Sequence, residues 1–334
     1  DFRIAEPGEF TKRAFFNGII DLTQAEGLND LINSETERQL DLSMSQYEGE
    51  LSNKLNVWRD KIVFLLSKLE AIIDFSDEEL TTNLEETLRK KVSSLLNEMR
   101  KSLKFSLFGQ RLRDGFVITL IGRPNVGKSS FINYLSERKV AIVTNEPGTT
   151  RDILEVLLDF SGFPIFLNDT AGIREPKSKI EKIGIDKALK KAKDSDIILV
   201  LSDEDDFIIP NLKNSKKIIF VHTKSDLRKI KLINAHSISI KKKEGVDQLI
   251  KIIVNHLNSL SPKENTYLTK QRHVQGVKTA LSALERFSKV EIVNNPELGA
   301  EDLRIAAKAI GSITNVIDVE EILDDIFSNF CIGK

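Results

Sequence analysis

The sequence predicts an α/β domain inserted into a discontinuous all-α domain, and three changes of texture along the chain carry that expectation. From about Asp21 to Ser106 apolar residues recur at three- and four-residue steps and glycine is nearly absent, the period of helices with one buried face. From Asp114 and Gly115 short apolar runs alternate with helical stretches, the layout of a parallel sheet covered on both faces. From Thr266 the helical texture returns. Neither helical part looks self-sufficient, and a domain whose termini lie close together tolerates an insertion. The expected boundaries are 1–114 and 261–334 for the two parts of the helical domain and 115–260 for the domain between them.

Each element has its own justification. Leu51, Leu55, Trp58, Ile62, Leu65, Leu66, Leu69, Ile72 and Ile73 fall on one helical face. The stretch Asp74 to Asn83, with Asp77, Glu78 and Glu79, reads as a break between two long helices. Opposed long helices would bury such stripes against each other. Strands are expected at Phe116 to Ile121, Ile153 to Phe160, Pro164 to Leu167, Ile197 to Leu201 and Lys217 to Val221. The last helical part shows three apolar faces: Val277, Leu281, Leu284 and Phe287; Leu303, Ala306, Ala307 and Ile310; and Val319, Ile322, Leu323 and Ile326.

Composition sets limits. A length of 334 residues suits about two domains. With 49 basic and 50 acidic side chains the net charge is −1, which excludes a uniformly basic nucleic-acid coat. An RNA partner must therefore meet a local patch or arrive with a second protein. The single Cys331 forms no internal disulfide, and His222, His236, His256 and His273 lack metal-site spacing. A reducing, cytoplasmic compartment and no structural metal are expected. The longest apolar runs are far shorter than the roughly 20 residues that span a bilayer. The chain starts at Asp1 without Met or a signal-peptide core and reads as a fragment lacking its natural start.

Gly122 to Ser129 reads GRPNVGKS, a GxxxxGK[ST] loop placed after a strand and before an apolar helix start at Phe131, Ile132 and Leu135. Glycines let the loop turn its N–H groups onto phosphates, and the helix N-terminus adds its positive end. Lys128 should reach the β- and γ-phosphates and the Ser129 hydroxyl should bind Mg²⁺. Asp169, Thr170, Ala171 and Gly172 follow a strand, placing a carboxylate near the metal and a glycine N–H near the γ-phosphate. Between them Gly148, Thr149 and Thr150 offer a hydroxyl to complete the Mg²⁺ shell. Thr223, Lys224, Ser225 and Asp226 follow another strand, and Asp226 would accept from N1–H and the exocyclic amine of guanine. Adenine has no such donor pair.

With these motifs in order, the chain resembles the MnmE (TrmE) family of tRNA-modification GTPases along essentially its whole length. AEPGEFTKRAFFN from Ala5 to Asn17 and the terminal Cys331, Ile332, Gly333 and Lys334 share that likeness. The resemblance implies a Ras-like P-loop GTPase domain inserted into a helical domain, and a missing N-terminal tetrahydrofolate-binding domain that mediates dimerisation. It implies work with the FAD-containing MnmG protein, using a tetrahydrofolate one-carbon unit, to place an aminomethyl-type group on the wobble uridine of certain tRNAs. Cys331 would be a catalytic thiol and Lys334 would approach the folate. On the residues alone, Cys331 reads equally as an incidental thiol in a frayed tail.

The nucleotide contacts implied are Gly122, Asn125, Val126, Gly127, Lys128, Ser129 and Ser130; Thr144, Asn145, Glu146, Pro147, Gly148, Thr149 and Thr150; Asp169 to Gly172; Thr223 to Asp226; and Ser239, Ile240 and Lys241. Ile173 stands where Ras-type enzymes place a water-orienting Gln. The family resolves this with K⁺, held by Asn125, Thr144, Glu146 and Thr149, and with Glu181 orienting water. K⁺ would supply the positive charge of an arginine finger, and two G domains would pair face to face. Without the resemblance, Glu181 reads as a solvated helix face among Lys177, Lys179 and Lys182, as do the lysine runs at Lys241 to Lys243 and Lys177 to Lys193, and Asp203 to Asp206 as a solvated loop. Three positions depart from the family: Thr223 for Asn, Ile240 for Ala and Ile19 for Lys. Thr223 should weaken nucleotide binding, Ile240 should crowd the base, and Ile19 should lose a folate contact. The competing class is a regulatory nucleotide switch or assembly GTPase without a chemical role of its own.

Overall fold

Apolar side chains one helical turn apart decide the architecture of both ends of the chain. A computed structural model describes residues 3–74, 82–138, 155–169, 195–204, 207, 217–227, 235–262, 268–292 and 294–315, with backbone alone at 74, 82–84, 155 and 169. It divides into two units, one of Asp1–Ser34, Gln39–Arg113 and Pro262–Lys334, the other of Glu35–Arg38 and Asp114–Ser261.

In the helical unit α1 (Glu9–Phe16) is followed by α2 (Leu22–Ile32), α3 (Glu37–Tyr47), α4 (Glu50–Asp74), α5 (Thr82–Lys104) and α6 (Ser106–Asp114). Asp21 starts α2 with a capping box: its side chain accepts from Gln24 N–H, and the Gln24 side chain accepts from Asp21 N–H, both at 3.0 Å, which satisfies two helix-end donors. The returning chain supplies two more helices, Gln271–Phe287 and Pro296–Thr314. Leu55, Trp58 and Ile62 share one buried core with Leu95, Met99, Leu284, Phe287 and Leu303. The two parts of this unit therefore bury one another across the inserted segment. Sequence spacing suggested that the two long helices bury their stripes against each other. Both stripes do enter one core, and the returning chain packs closely on each, Pro296–Thr314 on α4 and Gln271–Phe287 on α5. Each such Leu, Ile or Phe contributes about 1.5–3 kcal/mol on burial. The face at Val319 to Ile326 lies outside the described residues.

The second unit is built on a six-stranded sheet ordered β2-β3-β1-β4-β5-β6. Its strands are β1 (Phe116–Gly122), β2 (Glu155–Phe160), β3 (Phe163–Asp169), β4 (Ile197–Ser202), β5 (Lys217–His222) and β6 (Ala235–Ser237). All pairs are parallel except β2 with β3. Every residue of β4 is buried, which is why that run has no polar alternation. Helix α7 (Lys128–Ser136) follows β1, and α8 (Val246–Leu260) follows β6; the two helices returning to the other unit are accordingly α9 (Gln271–Phe287) and α10 (Pro296–Thr314). The parallel order brings the carboxyl ends of β1, β3, β4 and β5 to one edge, where ligands of open α/β sheets bind. Among the described residues no helix is long and apolar enough to cross a membrane, and no three His, Cys, Asp or Glu side chains gather as a metal site.

Candidate functional site

The phosphate loop turns sharply because its residues allow it. A Cβ on Gly122 would stand 2.5 Å from the Leu201 carbonyl oxygen and 2.9 Å from Val126 Cγ1, so only glycine fits beside β4. Gly127 caps α7 at φ +100° and Asn125 adopts φ +62°, the left-handed region that Gly and Asn tolerate best. Lys128 is buried at the first turn of α7, and its Nζ donates to the Gly122 and Arg123 carbonyls at 2.8 Å each. The ammonium is thereby held over the mouth of the loop. Ser129 and Ser130 follow as exposed residues of that turn, with the N-terminal end of the helix dipole beside them.

Two further strand ends converge on this loop. Asp169 closes β3, in register with Leu120 of β1; its side chain, with Thr170, Ala171 and Gly172, lies outside the described set. At the end of β5 the buried Thr223 hydroxyl donates to the Val126 carbonyl at 2.7 Å, and Thr223 N–H donates to Ser202 O at 2.8 Å. Lys224, at φ +53°, places Nζ 2.6 Å from Asp203 Oδ2. That hydrogen bond holds the Asp203 carboxyl below its ordinary range, against a smaller opposing effect of burial. Asp203 is thus half-buried in an ion pair, which corrects its reading as part of a solvated loop. Its role was hidden because the pairing joins residues that follow two different strands.

The base-side loop is organised around Ser239. Its buried hydroxyl donates to Asp226 Oδ1 at 2.7 Å and accepts from Lys242 N–H at 3.1 Å. Ser239 N–H also pairs with Glu244 O, and Ser225 N–H with Ile238 O. The Ser239 hydrogen bond is the chief cause that lowers the Asp226 carboxyl, with Lys241 and Lys242 adding to it. Asp226 is therefore an anion with fixed orientation, suited to accept from two donors of a base. Ile240 is half-buried and Lys241 exposed in the same turn. One framework therefore joins the Gly122–Ser129 loop to the Asp226 carboxylate.

A family model described as the MnmE helical domain matches residues 22–331. The tRNA modification GTPase MnmE of Rickettsia rickettsii (strain Sheila Smith) is 42% identical over 99% of this chain and 77% of its own length. The chain belongs to the MnmE family. The MnmE of a Wolbachia from Brugia malayi is 40% identical over 100% of the chain and 77% of that protein. Among solved structures, the G domain of the T. maritima FeoB iron transporter is 29% identical over 42% of the chain and 98% of that domain, with a TM-score of 0.30.

Other MnmE-family positions divide between the described and the undescribed parts. Thr144, Asn145, Glu146, Pro147, Gly148, Thr149, Thr150, Ile173, Glu181, Cys331 and Lys334 lie outside the described residues, as do Asp205 and Asp206 and the lysines from Lys177 to Lys193. In the AEPGEFTKR stretch Glu9 accepts from Arg3 at 2.8 and 2.9 Å, Arg13 at 2.6 Å and Glu6 N–H at 2.9 Å. These bonds, the Arg3 pair first, bring its carboxyl to about 2. Ile19 is 73% exposed.

Among the described residues the helical unit holds a buried polar cluster that sequence reading missed. Glu26 of α2 is 2% exposed; Arg272 Nη2 donates to its Oε2 at 2.9 Å, and His273 Nε2 lies 2.7 Å away. Arg272 also donates to the Ser312 and Ile313 carbonyls at the end of α10, at 3.1 and 2.7 Å. His273 Nδ1 is buried with no hydrogen-bond partner among the described residues. Burial lowers the His273 pKa, and a neutral ring with its proton on Nε2 avoids an orphaned buried N–H at Nδ1. Burial opposes ionisation of Glu26, but the hydrogen bond from His273 and the charges of Arg272 and Lys270 outweigh it and leave the carboxyl well below its ordinary range. With the imidazole neutral, Arg272 carries the countercharge. No motif announces this cluster, because Glu26 is separated from Arg272 and His273 by more than two hundred residues.

Proposed function

We propose that this chain hydrolyses GTP in a K⁺-dependent manner. With a FAD-containing MnmG-type protein and a tetrahydrofolate one-carbon unit, it acts in the cytoplasm to place an aminomethyl-type group at C5 of the wobble uridine of certain tRNAs. Membership of the MnmE family supports the coarser statement, a GTP hydrolase of tRNA modification. The observation that carries the nucleotide assignment is the Thr223 to Val126 hydrogen bond, which ties the base-selecting segment to the phosphate loop.

The parts divide the work. Loop N–H groups and Lys128 neutralise phosphate charge, and Asp226, oriented by Ser239, selects guanine. Oxygen donors on an exposed loop and first helical turn fit hard cations: Ser129 with Thr150 would hold Mg²⁺, and Asn125, at its left-handed φ, with Thr144, Glu146 and Thr149 would hold K⁺. When bound, these ions supply positive charge to the β- and γ-phosphate oxygens. Glu181 would orient the attacking water, two G domains would pair face to face in a homodimer, Lys334 would approach the folate, and Cys331 would act as the thiol. Turnover measured in K⁺ and in Na⁺ tests the cation reading: a rate at least about tenfold higher in K⁺ is expected for loss of one electrostatic stabiliser, and equal rates remove it. Cys331→Ser in a chain carrying the folate domain should abolish uridine modification while GTP turnover persists.

A further inference from the structure

Helices α4 and α5 run antiparallel and carry an exposed surface that neither the nucleotide site nor the core uses. Steps of four, three and four residues place Val57, Lys61, Phe64 and Lys68 on one stripe of α4. Val57 is 51% and Phe64 45% exposed. Across from them on α5, Lys91 Nζ stands 4.0 Å over the Phe64 ring, with Lys68 Nζ at 5.7 Å on the same ring. Lys61 bonds both Glu98 oxygens at 2.9 Å, and Trp58 Nε1 donates to Glu98 from below at 3.0 Å. Lys54 and Lys101 line the groove that continues past Glu98. Among the described residues Lys54, Lys61, Lys68, Lys91 and Lys101 lie along this surface with the Glu98 carboxylate, in a chain whose net charge is −1. From Lys54 to Lys68 the stripe extends about 21 Å along the helix.

We propose that this groove is a tRNA-docking surface of the helical unit, with backbone phosphates on the lysines and one unstacked base against Phe64. The inference rests on the reading of tRNA as the substrate. Lysines around an exposed aromatic suit single-stranded or looped RNA, which is bound by phosphate neutralisation and base stacking. Protein interfaces, by contrast, are depleted in lysine. An RNA that binds this chain directly, and not by way of a second protein, must meet a local basic patch, and this surface is one.

The test is fluorescence anisotropy with labelled tRNA and the whole chain across a salt series. Lys68→Glu with Lys91→Glu should weaken binding at least about tenfold and reduce the slope of log K against log salt by about 2. Lys68→Gln with Lys91→Gln should do the same with less loss, which guards against a charge-reversed chain that folds poorly. Phe64→Ala should weaken binding roughly five- to a hundredfold with no change of slope. Unchanged affinity and slope overturn the proposal, as does an unaltered chain that binds no tRNA, or variants that lose a protein partner while keeping tRNA. GTP turnover without RNA is read separately and tests the proposed function independently.

Discussion

The Thr223 hydroxyl donates to the Val126 carbonyl at 2.7 Å, joining the end of β5 to the phosphate loop. A short side chain thus makes a tie at the place where the family usually has an amide. The departure that suggested weak nucleotide binding keeps at least this contact, because the bond needs one donor only. Thr223→Val should leave the buried Val126 carbonyl unpaired, costing about 1–3 kcal/mol, with a weaker GDP affinity in proportion. Thr223→Ser should retain most of both. Denaturant unfolding and calorimetric GDP titration of the two variants check this; equal losses in Val and Ser would dismiss the hydroxyl.

On the proposed reading, base choice depends on how firmly Asp226 is held. Asp226→Asn should shift preference from GTP toward XTP, since an amide can pair with the xanthine carbonyl. Ser239→Ala removes the hydrogen bond at 2.7 Å and the main cause of the lowered Asp226 pKa. The expected result is a raised GTP dissociation constant with GTP still preferred over XTP. Competition binding with both nucleotides separates the two effects, and an Asp226→Asn chain with unaltered preference would mean another group selects the base.

Much of this site was legible because its chemistry is local. The phosphate loop, Asp226 and five of the six strands follow from contiguous runs whose geometry depends on neighbours in sequence. β6 was missed because Ala235–Ser237 has three residues, too few to show alternation, and is held by backbone pairing to β5. Asp203 and Ser202 were missed for a different reason. Their roles come from register between β4 and β5, where Ser202 faces His222. The partner of α4 was likewise out of reach of periodicity, which reports that a face is buried and not what covers it.

Acid should destabilise the helical unit through the Glu26 cluster. Burial lowers the folded His273 pKa, so the unfolded chain binds the proton more readily and stability falls as pH drops below the unfolded value of about 6.5. The Glu26 carboxyl is depressed in the folded state, so its contribution is present above the unfolded value of about 4.3 and is lost as pH falls toward the folded one. Both effects have the same sign. His273→Gln, which can still donate to Glu26, should flatten the unfolding midpoint between pH 6.5 and about 5 while leaving the steeper loss at lower pH. Glu26→Ala should cost about 3–5 kcal/mol at neutral pH by stranding Arg272. A midpoint in His273→Gln that still follows the unaltered chain through the upper window would refute the neutral imidazole.

His222 sits at the end of β5, 1% exposed, with neither ring nitrogen hydrogen-bonded among the described residues. It shares a sheet face with Ile218 and Phe220, which pack with Ile121, Ile198 and Val200. A buried donor and acceptor without partners cost about 1–3 kcal/mol each, so an apolar side chain of similar volume should be tolerated. His222→Leu is expected to raise unfolding stability by about 1 kcal/mol. The Thr223 tie is a separate bond made by the next residue, so GDP affinity should stay within about twofold, less than the effect of one lost hydrogen bond. Unfolding with and without GDP distinguishes the alternatives. If His222→Leu is neutral or better without nucleotide but loses the stabilisation that GDP gives the unaltered chain, the imidazole finds its partner only in the bound state and belongs to the nucleotide site.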